Sequence, residues 1–209
     1  MMMNIDYSLL VSWLGLFGIG VFAISGALDA ARKGMDILGF MLIGTATGLG
    51  GGTIRDLLLG LTPVYWVKNP TYIGVCLLVT SITYFAVPFI ASRTRALVWM
   101  DALGISLFCV TGTSISLAQN VTPLVAICMG VVTATFGGII RDVLCGESLI
   151  LGQRELYVTT TVLGATVFYL LTWLELSYAV AAMLAFMMAF LLRGAAIIWK
   201  LQLPSYKNW

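Results

Sequence analysis

Apolar residues run along this chain in long blocks, and short polar stretches separate them. Seven blocks, roughly 8–28, 37–59, 71–91, 97–118, 122–146, 157–174 and 177–199, predict helices. Each is near the length of about 20 mainly apolar residues that a bilayer crossing needs. The connections are short, and several carry start signals. Asn69-Pro70 precedes the third block and Thr122-Pro123 the fifth, because proline fits the first turn of a helix, where its missing N–H costs nothing. No soluble domain fits between the blocks. The expected fold is all-α and integral to the membrane: one domain over 1–209, with seven transmembrane helices.

Composition supports that class and narrows the chemistry. Of 209 residues, 60% are hydrophobic and only 10% charged, against roughly 25% charged in a soluble domain. The net charge is +2, too small for binding nucleic acid through its phosphates. Histidine is absent, which removes the commonest general base and metal ligand. With no nucleophile–base pair visible either, the chain is not expected to be an enzyme or to carry a cofactor. Cys76, Cys109, Cys128 and Cys145 stand singly in apolar runs, without metal or redox spacing, and are expected as small buried hydrophobes. The amino-terminal MMMNIDYSLL has no basic region, so a cleaved signal peptide is not expected.

Lysine and arginine in the loops set the expected orientation. Arg32, Lys33, Arg93, Arg95, Arg154, Lys200 and Lys207 fall on one side, and Lys68 on the other. The amino terminus is therefore expected outside and the carboxyl terminus in the cytoplasm, with Trp199 and Trp209 as interfacial anchors.

One motif occurs twice. GLGGGTIRDLLLG (48–60) matches ATFGGIIRDVLCG (134–146) at an offset of 86 residues. Gly51-Gly52, Arg55-Asp56 and Gly60 fall on Gly137-Gly138, Arg141-Asp142 and Gly146. The register extends to Phe22 with Phe108, Ser25 with Thr111, Gly26 with Gly112 and Gly44 with Gly130. So many matches at one offset indicate an internal duplication. Each copy holds three spans, so the second enters from the opposite side. The expectation is an inverted repeat of 8–91 and 97–174, with an extra helix at 177–199.

Glycines and charges in this motif admit two readings each. Gly44, Gly48 and Gly52 form a small-residue stripe suited to helix packing, as do Gly130, Ala134 and Gly138. Gly50 and Gly51 lie off that stripe. Consecutive glycines weaken a helix by about 1 kcal/mol each, so a break at Gly50–Gly52 and Gly137–Gly138 is expected to free backbone carbonyls toward a polar path. Arg55, Asp56, Arg141 and Asp142 are either structural ion pairs or the charges of that path. An intramembrane charge costs at least about 2.5–3.5 kcal/mol unless partnered. Adjacent residues point about 100° apart on a helix, so neither pair need be internal. Asp101 is the expected partner of Arg141, whereas Arg55 is expected to rely on carbonyls. Ser25, Thr45, Thr47, Thr53, Thr111, Thr133 and Thr135 are candidate hydroxyls, with back-bonding to the preceding turn as the alternative for most.

At these residues the chain resembles the prokaryotic branch of the trimeric intracellular cation (TRIC) channel family. The resemblance rests on GGGTIRD with PVYWVKNP downstream, and on FGGIIRD with GQRELY downstream. It implies a homotrimer in the cell membrane, with a pore in each subunit lined by glycine-kinked second and fifth spans. It also implies an hourglass path for monovalent cations, chiefly K+ and secondarily Na+, and no other metal. By position Gly50, Gly51, Gly52, Gly137 and Gly138 are the kinks. The residues themselves suggest that Thr53 joins them in lining the path, that Arg55, Asp56, Arg141, Asp142 and Asp101 charge or gate it, and that Ser25 and Thr111 add hydroxyls. Phe136 stands where the first copy has a third glycine, which implies a tighter inner waist. Sequences of this type are also described as small amino-acid (glycine) transporters. A carrier is therefore the alternative, with arginine holding the carboxylate and aspartate the amine.

Overall fold

The computed structural model describes residues 3–147 and 156–202, with side chains from Leu9 onward. The described elements are α-helical: α1 Met3–Arg32, α2 Ile37–Leu58, α3 Tyr65–Lys68, α4 Thr71–Ala86, α5 Arg93–Leu117, α6 Pro123–Cys145, α7 Val158–Trp173 and α8 Tyr178–Trp199. Six are long and apolar enough to cross a bilayer, α4 counting with the 3₁₀ turn Val87–Phe89 that follows it. Helix α7 is shorter. Its 16 residues span about 24 Å at 1.5 Å per residue, less than the roughly 30 Å hydrocarbon core. The protein is thus an all-helical membrane protein of six spans plus one shorter apolar helix.

Local chemistry explains where these helices start and stop. Asp36 caps α2 by accepting the Gly39 N–H at 2.8 Å. Ser92 caps α5, so this helix begins four residues before the expected 97. Pro123 occupies the first turn of α6. Helices α2 and α6 end alike. Gly60 and Gly146 have φ of +67° and +63°, a region open to glycine at no steric cost. The next residue donates back to the motif aspartate in both: Leu61 N–H to the Asp56 carbonyl at 2.8 Å, Glu147 N–H to the Asp142 carbonyl at 2.9 Å.

Helices α1, α2, α6 and α5 pack in a ring, each against the next. Helix α4 lies against α1 and α2, α7 against α5 and α6, and α8 against α5 and α7. Large apolar side chains such as Trp13, Leu38, Leu42 and Phe85 point outward, as lipid requires, while small residues fill the interfaces. Helix α8 turns Ala181, Ala182, Ala185 and Ala189 inward and leaves Met183, Met187 and Met188 exposed. Cys76, Cys109 and Cys145 are buried as expected, but Cys128 is exposed, on the outward face of α6.

The glycines do not break the helices. Both α2 and α6 continue through Gly50–Gly52 and Gly137–Gly138. The reason is close approach. A Cβ on Gly51 would collide with the Thr133 carbonyl, and one on Gly137 would lie 2.5 Å from the Thr47 carbonyl. These two contacts are reciprocal at the 86-residue offset. So are the contacts of α1 with α5, where Gly18 receives the Phe108 ring and Gly104 the Phe22 ring. The two rings themselves meet, with centroids 5.0 Å apart. Gly44 and Gly48 pack as expected: an added Cβ would lie 2.8 Å from the Ala23 carbonyl and 3.0 Å from the Ile19 carbonyl of α1.

Candidate functional site: two arginine–aspartate sites flanking a glycine crossing

Each copy of the motif places an arginine and an aspartate one turn beyond the α2–α6 crossing. All four are buried, with exposures of 4% and 3% for Arg55 and Asp56 and 0% and 3% for Arg141 and Asp142. Contrary to expectation, each arginine pairs with its own neighbour. Arg55 Nε and Nη2 donate to Asp56 Oδ1 at 3.0 and 2.7 Å. Arg141 Nε and Nη2 donate to Asp142 Oδ1 at 3.0 and 2.9 Å. The 100° offset describes Cβ directions, but the arginine side chain is long enough to fold back.

Around Arg141 the charge is richer. Nη1 donates to Asp101 Oδ1 at 2.8 Å, as expected, and to Ser25 Oγ at 2.5 Å. Asp29 Oδ2 lies 3.9 Å from Nε. Three buried carboxylates thus converge on one buried guanidinium. Tyr157 closes the site: its hydroxyl lies 2.8 Å from where a Cβ on Gly138 would stand, and Asp101 Oδ1 lies 3.4 Å from the same point. The Arg193 guanidinium stacks over the Tyr157 ring at 5.2 Å.

Around Arg55 there is less charge and more space. The carbonyl partners expected for it are replaced by Asp56 and by the Tyr65 ring, whose centroid is 5.7 Å from the guanidinium carbon. Asp56 Oδ2 accepts the Tyr65 N–H at 2.9 Å. Trp66 Nε1 donates to Thr53 Oγ1 at 2.9 Å, which ties the PVYWVKNP segment to α2. A cavity of about 200 Å³ opens beside Arg55, and Gly52, Tyr65, Thr111 and Thr133 are among its walls. Thr47, Thr53, Thr111, Thr133 and Thr135 all donate to carbonyls four residues back. They can therefore only accept from a ligand.

Sequence reasoning missed Asp29, Tyr65 and Tyr157. Asp29 sits one turn before the end of α1 and reads as a helix-end partner of Arg32, which it also is, at 2.9 Å. The two tyrosines flank loops, where no helical period marks them. Arg154, Lys207 and Trp209, counted above for orientation and anchoring, lie outside the described residues, as does most of GQRELY.

Two further ion pairs share Glu147 at the loop ends, where Lys33 Nζ lies 2.7 Å and Arg32 Nη2 3.6 Å from its Oε1. The hydrogen bond to Glu147 raises the Lys33 pKa, and that from Lys33 lowers the Glu147 pKa. A carboxylate held low stabilises the fold above its unfolded pKa and loses that contribution as pH falls through the folded value. A lysine held high contributes below its ordinary 10.5 and loses that as pH rises through its folded value. Glu147→Gln is therefore expected to flatten the acid limb, below about pH 4.5, of a melting-temperature profile against pH, with little effect at neutrality, since exposed pairs are weak.

Comparison with known proteins places this arrangement. A family model described as glycine transporter matches residues 12–88 and 98–173. The inner membrane protein YadS of Escherichia coli, of the group UPF0126, is 38% identical over 206 residues, covering 95% of this chain and 97% of that protein. A Vibrio cholerae UPF0126 membrane protein is 37% identical, covering 97% and 84%. A TRIC trimeric intracellular cation channel orthologue from Rhodobacter sphaeroides superposes with a TM-score of 0.90 at 48% identity, covering 92% of this chain and 99% of that one. Another TRIC cation channel structure matches at 0.82 and 34% identity, covering 93% and 96%. These solved relatives are channels rather than enzymes. The chain therefore belongs to the membrane-protein family that the glycine-transporter model describes and in which these TRIC channels fall.

Proposed function

We propose that this protein is a monovalent cation channel, permeable to K+ and, less favourably, Na+, acting as a homotrimer in the cell membrane. The carrying observation is the inner cluster. Asp29, Asp101 and Asp142 surround Arg141 at membrane depth, and a surplus of buried carboxylates lowers the energy of a cation there. The path runs from the cavity at Arg55, past the α2–α6 crossing, to that cluster. Gly50–Gly52, Thr53, Gly137 and Gly138 line its waist. Ser25 and Thr111 supply hydroxyls on the two sides. With helix backbones touching at Gly51 and Gly137, this conformation is closed at the waist, and conduction needs the crossing to part. Likeness to trimeric TRIC channels supports the trimer and the ion class.

The two copies are read as an inverted repeat of 8–91 and 97–174, with 177–199 as the added helix. The reciprocal glycine contacts support this, as do family matches that begin 86 residues apart, at 12 and 98. The loop charges support an amino terminus outside and a carboxyl terminus in the cytoplasm.

Recording from the purified protein in a planar bilayer under a KCl gradient tests the reading. Unit currents reversing near the potassium potential are expected, unchanged by glycine. Asp142→Asn is expected to lower conductance or cation selectivity while the protein still assembles. Silence in the bilayer together with saturable glycine uptake into vesicles would replace the channel with a carrier.

A further inference from the structure

The cavity beside Arg55 occupies the place that the inner acid cluster would take if the chain were shifted by 86 residues. Arg55 corresponds to Arg141, Gly52 to Gly138 and Thr111 to Ser25. Two correspondences change the charge. Gly15 stands for Asp101, and Ile115 for Asp29, and both line the cavity. The two carboxylates that join Asp142 at Arg141 are thus missing at Arg55.

The guanidinium registers the loss. Both arginines give Nε and Nη2 to the following aspartate. Arg141 Nη1 is then taken by Asp101 and Ser25. Among the described residues, Arg55 hydrogen-bonds to Asp56 alone, so its Nη1 is left uncommitted beside the cavity. Because Arg55 lines the cavity, a ligand there can reach this donor. The space of the missing carboxylate is open: a Cβ on Gly15 would meet nothing within 4 Å.

We propose that this cavity binds a small monocarboxylate, whose carboxylate takes at Arg55 Nη1 the place that Asp101 takes at Arg141. An anion is favoured at this spot because Arg55 is the one charged residue among the walls of the cavity, and Asp56 is not one of them. The walls at Ile19, Phe108 and Ile115 suit a short alkyl end. At about 30 Å³ per water, 200 Å³ accommodates an acetate and some solvent.

The test is thermal unfolding of the full-length protein in detergent micelles, titrated with acetate and, at equal ionic strength, with chloride. Acetate is expected to raise the melting temperature saturably, and chloride not to reproduce the rise. Gly15→Asp supplies the carboxylate from the chain. It should weaken the acetate response by about tenfold or more while melting no lower than the parent. Asp101→Gly reopens the inner site and should show a larger acetate-dependent rise than the parent. An acetate response equal to that of chloride, or one surviving Gly15→Asp unchanged, overturns the proposal. A stronger response to glycine than to acetate does so too, since it would require an ammonium partner. Unfolding in micelles involves no current, so this result stands or falls separately from the channel reading.

Discussion

Gly51→Ala and Gly137→Ala are each expected to destabilise the protein by about 1–3 kcal/mol, the usual cost of overpacking. Alanine is the better helix former by about 1 kcal/mol, so intrinsic propensity points the other way. Packing decides the sign. The atoms facing each glycine are helix carbonyls, those of Thr133 and Thr47, and backbone cannot swing aside as a side chain can. Gly74 is the control: it lies within α4 with nothing near its missing Cβ. Gly74→Ala should be neutral or stabilising, by up to about 1 kcal/mol. Denaturant titration of the three variants measures the contrast, and equal effects at Gly51 and Gly74 would refute the crossing as a tight contact.

Arg141→Gln should be costlier still, at about 3–5 kcal/mol, the range for removing one partner of a buried ion pair. It leaves Asp29, Asp101 and Asp142 facing one another without their shared counter-charge. Arg55→Gln should cost less, because only Asp56 loses its ion-pair partner there and Asp56 keeps the Tyr65 N–H. Adding Asp101→Asn to Arg141→Gln should restore part of the loss, as a double-mutant cycle would register. Similar melting temperatures for the two glutamine variants would show that the inner carboxylates do not act on Arg141 as a group.

Much of this architecture was legible because lipid imposes a simple length rule. Six apolar blocks became spans within a few residues of their expected ends, and the remaining one, 157–174, became the shorter helix α7. The Arg141–Asp101 pair was legible too, since two opposite charges at one depth of the membrane have few other partners. The glycines were read less well. Gly51 lies off the stripe of α2 that faces α1, and Gly137 off the stripe of α6 that faces α5, and so they suggested a break. Yet Thr47-xxx-Gly51 and Thr133-xxx-Gly137 are themselves small-residue stripes, turned toward each other. A helix that packs on two sides needs two such faces, and one alone was counted. Tyr65 and Tyr157 were missed for a different reason. Their roles depend on how loops fold back over the motif, which no helical period encodes.

The inner cluster also bears on how the protein is made. Asp29 and Asp101 leave the ribosome before Arg141, on helices that enter the membrane first. Until α6 follows, neither carboxylate has this guanidinium to meet. Asp29 has Arg32 on its own helix, but Asp101 carries a charge debt that the later part of the chain settles, and completion of the second copy of the motif becomes the event that commits the first to its final packing.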